Sequence, residues 1–296
     1  MALNAKTITN KEFFYGHKAC GGCGGALAIR LALKVLGKRA IAVIPPNCMS
    51  TVAFIYPHMP LFVNGMVSPF ASTASTMSGI LAGAKAQGLQ DYHVVGFAGD
   101  GGTVDIGMAA LSGMIDRNDK AIFICYDNEA YMNTGVQKSG MTPYGMKTTN
   151  TPAGSRIHGA QTSKKRMFEI VAAHGIPYAA TASVGYPEDY LAKVEKAMNT
   201  DGASYIHVMA PCPTGWGTAS DLTVELGKEA VDCGLWYLAE YEDGEFKLNR
   251  DPKEFTSVEE YLKKQGRFSA MDDADIAQVV EERNSAWARM RRDWKK

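Results

Sequence analysis

No charge of one sign predominates in this 296-residue chain: lysine plus arginine and aspartate plus glutamate both number 31, so the formal net charge is zero. That balance suggests neither a nucleic-acid partner nor a polybasic membrane surface. No apolar run is long enough to cross a bilayer, and no secretory leader pattern is present. The expectation is a cytoplasmic protein whose thiols stay reduced. Internal repeats and low-complexity linkers are missing too. No Gly-x-Ser-x-Gly surrounds a serine, which removes the serine-nucleophile elbow. A nicotinamide site wants Gly-x-Gly-x-x-Gly, and here Val104 stands at the third glycine. His58, His93, His158, His174 and His207 have no partner pattern and receive no catalytic part. His17, three residues before Cys20, is read as structural.

What the chain does have is a 46% apolar content, enough for a sizeable core. Its pattern is that of an α/β protein. Residues 92–98 form a short apolar run of the kind that makes a buried parallel strand, residues 106–118 are helix-compatible, and 121–126 are a second strand. Further expectations are a helix over 24–36 and a strand over 40–44. A close-packed Ala/Ser/Gly-rich helix lies within 68–87, and helices are expected at 165–174 and from Pro187 onward, where acids follow the proline. Residues 205–210 read as the last core strand. Residues 133–166 are polar and glycine-rich, a length that marks a functional loop. After Trp216 the chain turns charged, which predicts a helical arm over 217–296 appended to a domain over 1–216. The basic run at 289–296 is expected to face solvent or another subunit.

The most informative segment is Gly99-Asp100-Gly101, with Asn128 closing the next strand. Glycines let the backbone turn sharply and approach a ligand. Asp100 supplies an anionic oxygen at the carboxyl end of its strand, where open α/β sheets place ligands. One parallel βαβ unit brings Asp100 and Asn128 to adjacent strand ends, both offering oxygen to one magnesium ion. A tight turn without a ligand would also use Gly-Asp-Gly. The whole spacing resembles the thiamine diphosphate motif. That resemblance assigns Asp100, the Asn128 side chain and the Ala130 carbonyl to Mg²⁺, with Gly99, Gly101 and Gly102 at the diphosphate.

Six cysteines are present. Cys20-Gly-Gly-Cys23 makes a turn in which two thiolates converge, and glycine amides there can hydrogen-bond sulfur. In a reduced compartment this spacing favours metal binding over a disulfide. Cys48 and Cys212 stand alone, whereas a zinc ribbon pairs two Cys-x-x-Cys units. An iron–sulfur cluster tolerates scattered ligands, and zinc is the nearer rival. A thioredoxin-like pair would leave Cys48 and Cys212 unexplained. Cys125 and Cys233 read as small buried hydrophobes.

Longer motifs carry a family resemblance from about residue 12 to residue 268. They are Gly16 to Gly25, Asn47-Cys48, Gly99 to Gly113, Cys125-Tyr-Asp-Asn-Glu-Ala-Tyr-Met-Asn-Thr-Gly135, Thr142-Pro-Tyr-Gly145, Ala173-His-Gly-Ile-Pro-Tyr178 and Ala210-Pro-Cys-Pro-Thr-Gly-Trp216. Together they resemble the beta subunit of pyruvate:ferredoxin oxidoreductase, within the 2-oxoacid:ferredoxin oxidoreductases. The fold so implied is a three-layer α/β arrangement, a mostly parallel sheet with helices on both faces. The resemblance also implies that Cys20, Cys23, Cys48 and Cys212 bind one 4Fe–4S cluster and that Asn133 faces thiamine and substrate.

The implied activity is thiamine-dependent oxidative decarboxylation of a 2-oxoacid, with pyruvate and coenzyme A (CoA) giving acetyl-CoA and CO₂. Electrons would pass through the cluster to ferredoxin. The implied partners are an alpha subunit carrying the pyrimidine-binding domain and its activating glutamate, and gamma and ferredoxin-like delta subunits. Two departures bear on substrate. Thr51 stands where pyruvate enzymes of the family carry an apolar residue, and Asn47 stands where glycine is usual. A polar pocket would suit oxalate, the substrate of a related branch. A non-catalytic electron-relay or scaffold subunit is the remaining alternative.

Overall fold

The computed structural model describes residues 3–9 and 11–295. The Cys-x-x-Cys turn leads into α1 (Gly24–Leu36), then β1 (Ala40–Ile44), and a short α2 (Cys48–Ala53) precedes β2 (Asn64–Val67). Next come α3 (Thr73–Ala86), β3 (His93–Gly99), α4 (Met108–Asp116) and β4 (Ile122–Asp127). The long loop ends at α5 (Met167–Ala172), followed by β5 (Tyr178–Ser183), α6 (Pro187–Asn199) and β6 (Ser204–Met209). After α7 (Pro213–Trp216) and α8 (Thr223–Asp232), β7 (Ala239–Glu242) and β8 (Glu245–Leu248) form a hairpin. Helices α9 (Val258–Lys263) and α10 (Asp273–Asp293) complete the chain.

All eight strands share one sheet, in the order β2-β1-β3-β4-β6-β5-β7-β8, the first six parallel and the last two antiparallel. Alternation along the strands feeds two cores. On β4, Ile122, Ile124 and Tyr126 pack toward α1 and α6, while Phe123 and Cys125 face the layer that contains α4 and α5. Helices therefore cover both faces, as a parallel sheet requires. The ends of α6 and α10 are set by local chemistry. Pro187 begins α6 with Glu188 and Asp189 in its first turn, and Asp272 and Asp275 make a reciprocal capping box on α10.

Two expectations need correction. Residues 217–296 are not a helical arm alone, because β7 and β8 extend the sheet beyond β5 and Trp236, Trp287 and Trp294 are buried in its core. The turn between them is Asp243-Gly244, both with positive φ, a common hairpin pairing that the surrounding charge obscured. The basic C-terminal run closes α10, as expected, and two of its arginines pair within the chain. Arg289 makes a two-pronged pair with Glu169 and Arg291 pairs with Asp251, although Lys296 lies outside the described residues. Finally, the helix expected over 106–118 begins only at Met108. Residues Gly101–Asp105 take a wider turn, closed by Ile106 N–H donating to Gly101 O at 3.3 Å and Thr103 Oγ1 to Gly99 O at 2.8 Å. Such π-type turns cluster at functional sites.

Candidate functional site

Strands β3 and β4 run parallel with Gly99 opposite Tyr126, so the residues that follow each strand emerge side by side. Asp100 is buried to 1% exposure. One terminal atom of the Asn128 amide lies 3.2 Å from Asp100 Oδ1 and 2.9 Å from the Ala130 carbonyl oxygen. With nitrogen there the amide donates to both; with oxygen there, three oxygens face one another. Octahedral magnesium with oxygens at 2.0–2.1 Å sets neighbouring ligands about 3 Å apart, so the oxygen orientation fits that ion. Burial first, then the nearby Asp127 carboxylate, pushes the Asp100 carboxyl well above its usual range, while the Ser139 hydroxyl that donates to it pulls the other way. A divalent cation is the charge that such a buried acidic pair calls for.

The loop around these oxygens is held from several sides. Glu129 adopts φ 70°, turning the chain between Asn128 and Ala130. Its N–H donates to Asp127 Oδ1 at 2.8 Å, and its carbonyl accepts from Thr142 Oγ1 at 2.7 Å. Its carboxylate is gripped by Lys164 and by Arg267, the latter at 2.5 Å. Trp216 Nε1 donates to Asn128 O at 2.9 Å, and the Arg267 guanidinium stacks over that indole at 3.6 Å. Tyr131 donates to Gly101 O at 3.2 Å and to Asp105 at 3.1 Å. A Cβ on Gly101 would stand 2.3 Å from the Tyr131 ring, so only glycine fits this close approach. The cleft so formed has a volume of about 180 Å³, lined by the Gly99–Gly102 backbone, Phe70, Asn47, Cys48 and Asn133. A larger cavity of about 430 Å³ lies on the far side of Glu129, and neither Asp100 nor Asn128 lines it.

Of the cysteines, Cys48 lines the same cleft. Cys23 caps α1, accepting from Ala26 N–H at 3.4 Å, and Cys212 caps α7, accepting from Gly215 N–H at 3.4 Å. Cys48 opens α2, whose cap is Asn47, accepting from Met49 and Ser50 N–H at 2.8 and 2.9 Å. Cys20 sits exposed at the turn. Gly24 N–H donates to Pro211 O at 3.1 Å, tying the Cys-x-x-Cys turn to the segment that bears Cys212. Burial, then the Cys212, Cys23 and Cys20 thiols in that order, push the Cys48 thiol up to about 12, so the four share one neighbourhood. Among the described residues no three of these sulfurs lie within 4.8 Å of one another; the only such group of possible ligands is His158, Asp272 and Asp275. Tetrahedral zinc, with Zn–S near 2.3 Å, would draw its thiolates closer than that, whereas a cubane spreads them over separate irons.

Residues 48–208 match the family model of the thiamine pyrophosphate enzymes, C-terminal TPP binding domain. The chain is 48% identical over 275 residues to the pyruvate synthase subunit PorB of Methanothermobacter thermautotrophicus, covering 93% of this chain and 96% of the relative. The chain belongs to the thiamine diphosphate-binding beta subunits of the 2-oxoacid:ferredoxin oxidoreductases. It is also 46% identical over 289 residues to the ketoisovalerate oxidoreductase subunit VorB of Pyrococcus horikoshii, covering 95% of this chain and 93% of the relative. A 2-oxoglutarate:ferredoxin oxidoreductase from Magnetococcus marinus shares the fold, with TM-score 0.57 and 22% identity over 70% of this chain and 66% of the neighbour. Beta subunits of this family act as oxidoreductases together with partner subunits.

In this beta subunit the fold gathers Gly99, Asp100, Gly101, Gly102, Asn128, Ala130, Cys48 and Asn133 around one cleft. It leaves Thr51 outside: the residue is exposed on α2 and its hydroxyl donates to Asn47 O at 3.4 Å. Asn47 is likewise occupied, as the cap of α2 and through Nδ2 donating to Phe97 O at 3.3 Å. The sequence reading overlooked Ser139, Tyr131, Lys164 and Arg267. Only the glycine-rich length of residues 133–166 signalled the first and third, because the others act through contacts that no local pattern records.

Proposed function

We propose that this beta subunit catalyses, within its complex, the oxidative decarboxylation of pyruvate with CoA to acetyl-CoA and CO₂. In this reading Asp100, Asn128 and the Ala130 carbonyl hold Mg²⁺, and the Gly99–Gly102 backbone receives the diphosphate of thiamine. When bound, that cofactor supplies the carbon acid on which 2-oxoacid decarboxylation depends. Asn133, on the cleft wall, orients the substrate. Cys20, Cys23, Cys48 and Cys212 hold one 4Fe–4S cluster that takes the electrons toward ferredoxin. The observation that carries the reading is that three candidate metal oxygens and Cys48 meet at one cleft, with Cys20, Cys23 and Cys212 close enough to Cys48 to act on its thiol.

An alpha subunit would bring the glutamate that activates thiamine, and gamma and ferredoxin-like delta subunits the onward electron path. An apolar surface supports a partner. Tyr15 and Phe62 stack at 4.3 Å, and both are about half exposed, as are Met59, Met66 and Val67 near the β2 edge. Pyruvate is favoured by the relatives named pyruvate synthase, and a branched 2-oxoacid is the second reading because the ketoisovalerate relative is almost as similar. Oxalate has less support, since Thr51 does not line the cleft and the Asn47 side chain is engaged as the cap of α2. The test is a substrate panel of pyruvate, ketoisovalerate, 2-oxoglutarate and oxalate on the co-purified complex. Fastest CoA-dependent turnover of pyruvate is expected. Preference for another acid would replace the substrate, and no thiamine-dependent turnover with any of them would contradict the reading.

A further inference from the structure

The cavity of about 430 Å³ beyond Glu129 shares no lining residue with the cleft. Its size falls among small-molecule pockets, which span about 300–1,000 Å³. One face of α10 walls it, where Val279, Arg283, Ala286, Trp287 and Met290 recur at helical spacing. Phe168, Trp236 and Tyr261 add aromatic surface. Both indoles commit their N–H groups to backbone carbonyls, Trp236 to Ala182 O and Trp287 to Gly234 O, each at 2.8 Å. Carbon is what they have left to offer a ligand, so these walls suit an apolar body. Ser163 and Glu282 are exposed lining residues, and there the cavity meets solvent.

The lysines and arginines on the wall are paired with one exception. Lys164 and Arg267 share Glu129, Arg166 and Arg289 hold Glu169, and Lys165 pairs with Asp105. Glu282 keeps to the exposed rim, where Ser163 and Gln278 donate to it at 2.7 and 3.1 Å. Arg283 has no carboxylate partner among the described residues: its Nη1 donates to Cys233 O at 2.8 Å, and its guanidinium rests over the Phe255 ring at 4.5 Å. Its Nε is buried and has no hydrogen-bond partner among the described residues. A buried donor left unpaired is costly, and it marks a place where an acceptor belongs. The Nε edge of a guanidinium takes two carboxylate oxygens in a planar fork. One unmatched cation balances a monoanion, whereas a phosphate dianion would keep an uncompensated charge. We propose that this cavity binds a small monocarboxylate with an apolar, ring-sized body, its carboxylate on Arg283 and its body among the aromatic side chains. The assignment does not depend on what the cleft holds.

The test is isothermal calorimetry of the full chain with indole-3-acetate and with its neutral isostere, indole-3-acetamide. The carboxylate should bind saturably and the amide about tenfold more weakly, the loss expected for one charge-assisted pair. Arg283→Gln should weaken the carboxylate by a similar factor and leave the amide unchanged. Should R283Q fail to fold, as read by its melting curve, Ala286→Phe keeps Arg283 and fills the cavity from α10, and it must abolish binding of both probes. No saturable binding to the parent chain, equal affinity for acid and amide, or parent-like affinity for the acid in R283Q overturns the proposal. Unchanged binding in A286F overturns it as well. So does displacement of the probe by magnesium and thiamine diphosphate, which would place it in the cleft instead.

Discussion

Gly24 donates its amide to the carbonyl of Pro211 at 3.1 Å, and this one bond joins two cysteine-bearing segments that lie far apart in sequence. The approach admits no side chain, because a Cβ on Gly24 would stand 2.6 Å from Pro211 O. Gly24→Ala is therefore expected to force the two segments apart at a cost of about 1–3 kcal/mol. Thermal denaturation and iron content should both fall. A variant with unchanged values would show that the segments are not coupled through this contact.

Asp100→Asn keeps the shape of the side chain and removes a buried charge beside Asp127. The metal-free chain should be no less stable than the parent, since burial already disfavours the charged carboxylate. Magnesium-dependent binding of thiamine diphosphate should be lost in calorimetry. Parent-like affinity would mean that Gly99-Asp100-Gly101 is only a turn.

Arg267→Met leaves the Glu129 carboxylate buried with Lys164 as its remaining partner. Breaking a buried pair by removing one side costs about 3–5 kcal/mol. Because Glu129 sits between Asn128 and Ala130, cofactor affinity should fall along with the melting temperature, although Arg267 does not line the cleft. A stability loss with intact affinity would separate the two.

Glu12 is held down to about 2 by its hydrogen bonds to Arg30, with Lys34 adding to the effect. Its folded-state pKa lies below its ordinary value near 4.5, so the stabilisation is present above that value and is lost as pH falls toward 2. The pair is partly exposed, so the effect is roughly 1 kcal/mol or less. Glu12→Gln should flatten stability against pH in this window only, as read by denaturant unfolding. A difference that persists at pH 2 would point elsewhere.

Thr51 spends its hydroxyl on its own helix. Thr51→Val should then change the rates with pyruvate and oxalate by the same factor in the assembled complex. A selective loss with oxalate would restore the polar-pocket argument.

Much of the framework was legible beforehand. The β1 and α1 bounds match their expected ranges, because a clean apolar strand and a helix started by Cys23 and ended by Gly37 are local signals. The β3–α4–β4 unit was readable from two apolar runs and a glycine turn, and it juxtaposes Asp100 and Asn128. The Asp243-Gly244 hairpin went unread because charged residues alternate on strands whose inner positions are few. The support given by Ser139, Lys164 and Arg267 was invisible for a different reason. Their partners lie 35 to 138 residues away, a pairing that only the folded chain specifies.

The central claim is that Cys20, Cys23, Cys48 and Cys212 hold one iron–sulfur cluster beside a thiamine diphosphate cleft. Iron and acid-labile sulfide analysis of the anaerobically purified chain, alongside its Cys212→Ala and Cys233→Ala variants, tests it most directly. The account predicts about four iron and four sulfide per chain, lost in Cys212→Ala and retained in Cys233→Ala. Stoichiometric zinc without iron, or full iron content in Cys212→Ala, would contradict it.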